Sequence, residues 1–278
     1  MNKIRPKRWL ANAWPKTSRR NSVLVFHSTG SPVAASLEFE RFQHLIGALD
    51  CLAHFVPLHD IVYEYEDDTP RVAITFDDGY RDNFTHAFPF LSARNIPFTV
   101  FVTTRFIDGD SSVFHWSPHY AGLPALSWQE LRIMSEAGVL IGSHTLTHPR
   151  LANCNDAALL SELRNSKLRI EEKLGLAVDT IAYPFGQDHD ISEAVLNATE
   201  VAGYQFGFTT LPDLVPKRIR PVAIPRITIE NDDDDVSLMQ KLTGQRRFMV
   251  GVSKVRSAAV RFKLVDPLIP DHHLARPE

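Results

Sequence analysis

Residues 72–93 read VAITFDDGYRDNFTHAFPFLSA: a β-branched and aromatic run, Val72–Phe76, two adjacent carboxylates, Asp77 and Asp78, a turn at Gly79, and a helical stretch, Asp82–Ala93. This is one strand–turn–helix unit, and the chain repeats its form. Further strand candidates are Val23–Phe26, Phe98–Val102, Val139–Ile141, Thr180–Tyr183, Gln205–Thr209 and Pro221–Ile227. Helical patterns lie between them at Leu37–Leu52, Trp128–Ala137, Ala157–Leu174 and Ser192–Ala202. The first has one apolar face, from Phe39, Phe42, Leu45, Ile46, Leu49 and Leu52. Ser127 followed by Glu130 forms a capping box at the start of another, and Gly138 supplies its stop.

Repeated strand–helix alternation predicts a parallel sheet covered by helices. A distorted (β/α) barrel of about seven parallel strands in a single domain suits 278 residues better than an open doubly wound sheet. No GxGxxG follows an early strand and no GxxxxGK[ST] occurs, so a nucleotide-binding sheet has no support. The balance of 30 Lys+Arg against 33 Asp+Glu excludes a uniformly basic nucleic-acid binder and an acidic disordered chain. Asn231–Asp235 (NDDDD) precedes a short helical run, Val236–Leu242, and reads as carboxylates favouring a helix N-terminus rather than as a metal site.

Cys51 and Cys154 are far apart and form no zinc-type spacing, which predicts reduced, unlinked thiols and a cytoplasmic protein. The N-terminus is basic but lacks the apolar core of a signal peptide, and no stretch is apolar enough to span a membrane. Residues 1–20 carry Lys3, Arg5, Lys7, Arg8, Lys16, Arg19 and Arg20 with Trp9 and Trp14 between them. Near the other end, Phe248, Val252, Val255, Ala259 and Phe262 recur at helical spacing, with Arg247, Lys254 and Arg261 on another face. The expected plan is a basic arm (1–20), a barrel (21–244) and a basic amphipathic segment (245–278). Either end could touch an anionic membrane surface, or the two could be a solvated arm and a packed last helix.

Three segments carry chemistry, each at the C-terminal end of a predicted strand, where parallel barrels gather catalytic groups. The first is Thr75–Tyr80, with Asp77 and Asp78. The second is Ser143-His144-Thr145-Leu146-Thr147-His148-Pro149. Its histidines are four apart, but Thr145 stands where a zinc-protease glutamate would be and Pro149 disfavours helix, so the pair must act from a turn. The base must then come from elsewhere, with Asp77 and Asp78 as candidates. The third is Ile181-Ala182-Tyr183-Pro184-Phe185-Gly186, a strand entering a turn, followed by Asp188, His189 and Asp190 in what reads as a solvated loop.

In this order TFDDGY, HTLTHP and YPFG resemble the motifs of the polysaccharide deacetylase family (carbohydrate esterase family 4, the NodB-homology domain), over about Val23 to Ile229. The resemblance implies a divalent metal, most simply zinc or a similar borderline ion, held by Asp78, His144 and His148. It implies Asp77 as catalytic base, with the Tyr80 backbone N–H, Pro184 and Phe185 near the substrate or oxyanion. Two features depart from the family's commoner pattern: Ala182 stands where an arginine usually orients the base, and no late Leu-x-His follows Phe208. His27, ending the strand VLVFH, resembles the general acid of the poly-N-acetylglucosamine deacetylase-like branch; the alternative is a buried histidine at a strand end. Arg226 is one candidate partner for Asp77.

The expected function is metal-dependent removal of an N-acetyl group from an amino sugar in a polysaccharide or lipid-linked glycan, at the inner face of the membrane. The rivals are a deformylase or other carbohydrate amidase on the same site, and a catalytically inactive carbohydrate-binding barrel. The intact set Asp77, Asp78, His144 and His148 speaks against the last. Neither the oligomeric state nor the sugar carrier follows from the sequence.

Overall fold

The computed structural model describes residues 21–30, 36–63, 69–114, 122–216, 218–231, 233 and 235–243. The basic arm and the amphipathic C-terminal segment expected from the sequence lie outside them. Among the described residues ten strands are formed: β1 (Ser22–Phe26), β2 (Ser28–Thr29), β3 (Ser36–Leu37), β4 (His54–Phe55), β5 (Arg71–Phe76), β6 (Phe98–Val102), β7 (Leu140–Ser143), β8 (Thr180–Ala182), β9 (Phe206–Phe208) and β10 (Ile227–Thr228). Seven run side by side in the order β10-β1-β5-β6-β7-β8-β9, every pairing parallel, and β4 adds to β5. Ile224 bridges to Phe208 of β9, and the same segment then enters β10 beside β1. One short stretch therefore touches both edges of the curled sheet, as the expected distorted barrel requires.

The period of two along each strand sorts side chains between two cores. Leu24, Phe26, Ile74, Phe76, Val100, Val102 and Ile181 face the helices. Val23, Ala73, Phe101, Ala182, Phe208 and Ile224 pack inside the curl. The interior has room for Phe101 because its register partner on β7 is Gly142. A Cβ on Gly142 would lie 2.5 Å from the Phe101 ring and 2.7 Å from Thr180 Oγ1. Continuing the alternation past Ala73 and Thr75 puts Asp77 on the inner face, at the mouth of the barrel.

The helices follow the sequence pattern with physical exceptions. Phe39–Leu49 buries Phe42, Leu45, Ile46 and Leu49. Trp128–Glu136 starts with the full capping box between Ser127 and Glu130. Asp156–Leu174 ends on Gly175 at φ +70°. The helix expected over Asp82–Ala93 divides into a π-helical turn, Asn83–Ala87, and an α-turn, Phe88–Ser92. Pro89 cannot donate to the carbonyl four residues back, so the regular ladder breaks there. The strand expected over Pro221–Ile227 is corrected likewise: Pro221–Ala223 is a 3₁₀ turn and only Ile227–Thr228 is strand, because Pro221 and Pro225 have no N–H for a ladder. Asp233 of the acidic run is buried, accepts the Glu230 N–H at 2.8 Å and holds Lys241 at 2.5 Å. Cys51 and Cys154 are both free. Among the described residues, no helix is long and apolar enough to cross a membrane.

The packing around Gly142 gives a direct test. Gly142→Ala forces a methyl group against an immobile Phe101, and such overpacking costs about 1–3 kcal/mol. Urea unfolding should show a lower midpoint at unchanged slope; a midpoint equal to wild type would mean that the interior is looser than described.

Candidate active site

Asp77 leaves β5 with its N–H bonded to the Phe26 carbonyl at 2.9 Å, which ties the ends of β5 and β1 together. Its carboxylate meets Arg226 in a two-pronged pair: Nη1 donates to Oδ1 at 2.8 Å and Nη2 to Oδ2 at 2.7 Å. Arg226 is fully buried. It also donates to Thr75 Oγ1 at 3.1 Å and, through Nε, to the Thr209 carbonyl at 3.0 Å. Burial alone would push the Asp77 pKa up, but the Arg226 charge and hydrogen bonds, helped by His144, hold it down at about 2. Arg226 is thus the partner of Asp77, while Ala182 faces the apolar interior.

The chain then turns through two left-handed residues, Asp78 (φ +73°) and Gly79 (φ +92°). A Cβ on Gly79 would come within 2.8 Å of Ile107 Cδ1, so the turn requires glycine there. Neighbouring loops fix it: Thr103 donates its N–H to the Asp78 carbonyl at 3.2 Å and Leu126 donates to Gly79 at 2.9 Å. Asp78 consequently points away from Arg226. Its Oδ1 lies 3.4 Å from His144 Nε2 and 3.4 Å from His148 Nε2. Burial pushes the Asp78 pKa up, against the pull of His27 and His144. The pKa values of two carboxylates adjacent in sequence are therefore shifted in opposite directions.

His144 follows β7 and bonds through Nδ1 to the Ala182 carbonyl at 2.8 Å. A carbonyl only accepts, so Nδ1 carries a proton and Nε2 is the ring nitrogen left to face the site. His148 reaches the same point from the turn, with Phe114 and Phe185 packed edge-on against its ring at 5.1 and 5.0 Å. Burial, then the charges of His144 and His27, hold its pKa well below the usual histidine value. Two imidazole nitrogens and a carboxylate oxygen thus converge on one spot, their ligand atoms all within 4.8 Å of one another. Asp78 Oδ1 is buried there with no hydrogen-bond partner. Converging lone pairs repel unless a cation lies among them, and an Asp-His-His set fits a borderline divalent ion and leaves coordination positions open.

His27, half-buried just beyond β1, is close enough to act electrostatically on Asp77, Asp78 and His148. Its carbonyl accepts from Asn83 Nδ2 at 2.8 Å. Among the described residues, four of the five non-glycine residues with positive φ are Asp78, Thr145, His148 and Phe185. Such conformations cost about 1–3 kcal/mol each, so backbone strain is concentrated in the three motif segments. The Tyr80 side chain is core, packed on Phe106 and Phe114 at 5.7 and 6.1 Å. Pro184 is buried, and Phe185 stacks between His148 and Arg150, whose guanidinium lies 3.9 Å from its centroid. His189 is exposed and Asp190 is paired with Arg150 at 2.5 Å. Sequence reasoning missed Phe114, which packs against the His148 ring, and Glu162, which accepts the N–H groups of Leu146 and Thr147. A carboxylate beside the apolar stripe Leu159–Leu163 was the available signal for Glu162.

The polysaccharide deacetylase family model matches residues 64–207, just over half the chain. The chain is 28% identical over 232 residues to the poly-beta-1,6-N-acetyl-D-glucosamine N-deacetylase of Staphylococcus aureus, covering 78% of this chain and 76% of that protein. Two solved structures share the fold. The Streptococcus pyogenes deacetylase PplD in complex with acetate aligns with a TM-score of 0.67 at 21% identity, over 81% of this chain and 99% of that one. IcaB from Ammonifex degensii aligns with a TM-score of 0.66 at 20% identity, over 81% and 98%.

Removing the guanidinium tests the Asp77–Arg226 pair. Arg226→Met leaves a buried carboxylate without its cation, and breaking such a pair costs about 3–5 kcal/mol. The folded Asp77 value of about 2 lies below the unfolded value, so the unfolded chain binds more protons as the pH falls. The contribution is present above about pH 4 and is lost toward pH 2. In urea titrations, the advantage of wild type over Arg226→Met should shrink from pH 7 to pH 3; an equal advantage at both would contradict the pairing.

Proposed function

The chain belongs to the polysaccharide deacetylase family, and on that premise we propose that it removes the N-acetyl group from an amino sugar in a glycan by hydrolysis, releasing acetate and a free amine. The observation that carries the residue assignment is the pair of unlike carboxylates. One is held ionised by Arg226; the other is turned toward two imidazoles.

In this reading Asp78, His144 and His148 hold a divalent cation, zinc being the simplest choice for that donor set. When bound, such an ion polarises the amide carbonyl and acidifies water. Asp77 takes the proton of the attacking water. A carboxylate held at about 2 is a weak base, so it depends on that acidification; in return it is charged at every physiological pH. Arg226 keeps both Asp77 oxygens aligned through its two parallel hydrogen bonds. His27 donates the proton that the departing amine needs, and the Tyr80 N–H supports the developing oxyanion. Pro184 and Phe185 form the substrate-side wall, Phe185 also fixing the His148 ring.

The name of the Staphylococcus aureus relative makes β-1,6-linked N-acetylglucosamine the first substrate to test. A cytoplasmic lipid-linked or nucleotide-linked sugar is the finer reading. The free thiols of Cys51 and Cys154 and the basic residues of 1–20 are its support, with the barrel over 21–244 as the catalytic unit and 245–278 as a second basic flank. Mass spectrometry of glycolipids with and without the protein, looking for loss of one acetyl group, tests it.

Elemental analysis should find one divalent metal per chain in the purified protein, lost in His144→Ala and His148→Ala. Asp77→Asn should keep the metal while losing most turnover, whereas Asp78→Asn loses metal first. Unchanged metal in both histidine variants would sink the ligand assignment, and near-normal turnover in Asp77→Asn would remove Asp77 as base.

For His27→Ala the expected result is a folded, metal-containing protein with turnover lowered about 10²–10⁴-fold, the usual worth of a positioned acid. An activated ester, whose leaving group needs no proton, should suffer far less. Equal losses on amide and ester would show that His27 does not act as the acid.

A further inference from the structure

The turn Ser143–His148 carries both imidazoles in a conformation that a free chain would avoid. Thr145 sits at φ +68° and His148 at φ +59°. A β-branched residue in the left-handed region is a steric outlier, so something must hold it there. The backbone N–H groups show what does. His144 donates to Val102 at 2.9 Å, Thr145 to Ser143 Oγ at 3.2 Å, and His148 to Thr145 Oγ1 at 3.0 Å. The remaining two, Leu146 and Thr147, both donate to Glu162 Oε2, at 3.0 and 2.9 Å. Thr147 Oγ1 donates to the other oxygen, Oε1, at 2.6 Å.

Every N–H from His144 to His148 is thereby accounted for, and the one acceptor from outside the barrel strands and the turn itself is Glu162. Successive N–H groups aimed at one oxygen form an anion-binding nest, here filled by the chain's own carboxylate. Glu162 comes from the helix Asp156–Leu174, whose Leu159, Leu163, Ile170 and Leu174 are buried against the core. One turn further along, Ser166 Oγ lies 2.8 Å from Ser143 Oγ. The helix thus grips the turn at two points.

We propose that Glu162 is a positioning residue for the cation site: it holds the His144–His148 turn in its strained, ligand-ready shape before any ion arrives. This rests on the reading of His144 and His148 as cation ligands. Glu162 touches neither imidazole; it acts through the backbone between them.

The test uses full-length, metal-free protein, with Glu162→Ala and Glu162→Gln compared with wild type. Glutamine keeps one carbonyl oxygen for the two N–H groups and an amide to donate to Thr147 Oγ1, so it should preserve the turn. Calorimetric titration with Zn²⁺ alone should show Glu162→Ala binding about 10–100-fold more weakly, the usual cost of losing an outer partner, with Glu162→Gln within a few-fold of wild type. Hydrogen exchange without metal should show the Leu146 and Thr147 amides losing protection in Glu162→Ala while those of Leu163–Ile170 keep theirs. Zn²⁺ affinity unchanged in Glu162→Ala, or lost equally in both variants, would overturn the proposal. A wild-type protein that takes up no Zn²⁺ would overturn the cation reading, and this inference with it.

Discussion

The buried pair between Asp77 and Arg226 is the constraint on which the other features depend. The two residues are 149 positions apart, one leaving β5 and the other between the Ile224 bridge and β10. The pair therefore does mechanical and chemical work with the same atoms. Its hydrogen bonds to Thr75 and Thr209 join the segment that links the sheet edges to strands on both sides. An ion pair in such a place is costly unless nearly every donor is used. Here four hydrogen bonds, two of them to one carboxylate, take up the guanidinium.

What makes the site chemically useful is the contrast between neighbours. Asp77 and Asp78 are equally buried, and burial raises the pKa of each. The outcome differs because the left-handed step at Asp78 aims its side chain away from Arg226, toward the two imidazoles. A backbone conformation thus assigns different tasks to two identical side chains. Gly79 completes the step because Ile107 leaves no space for a Cβ.

Much of this was legible in the sequence for a clear reason. Strand runs and capping signals are local, so the expected Val72–Phe76, Phe98–Val102, Ser127 cap and helix end at Leu174 lie within a residue or two of the observed elements. The motifs at strand ends named Asp77, Asp78, His144 and His148, and the barrel brings them together. The failures were of two kinds. Proline broke elements that side-chain pattern alone would continue, at Pro89 and around Pro221 and Pro225. Long-range partners carry no periodic mark: Arg226 could be offered only as one candidate, and Glu162, from a neighbouring helix, could not be foreseen. Ala182 left a gap in the expected pattern, and only the fold shows that the arginine paired with Asp77 comes from the segment just before β10.

The central claim is that the pKa values of Asp77 and Asp78, adjacent in the chain, are displaced in opposite directions by their surroundings. Carbon-13 NMR of metal-free protein labelled at aspartate side chains, assigned by Asp77→Asn and Asp78→Asn, measures this directly across a pH titration. The account predicts an Asp77 carboxyl that stays ionised down to about pH 2, and an Asp78 carboxyl that takes up its proton above the ordinary aspartate value. Two carboxyls titrating together near the ordinary value, or Asp77 titrating above Asp78, would contradict it.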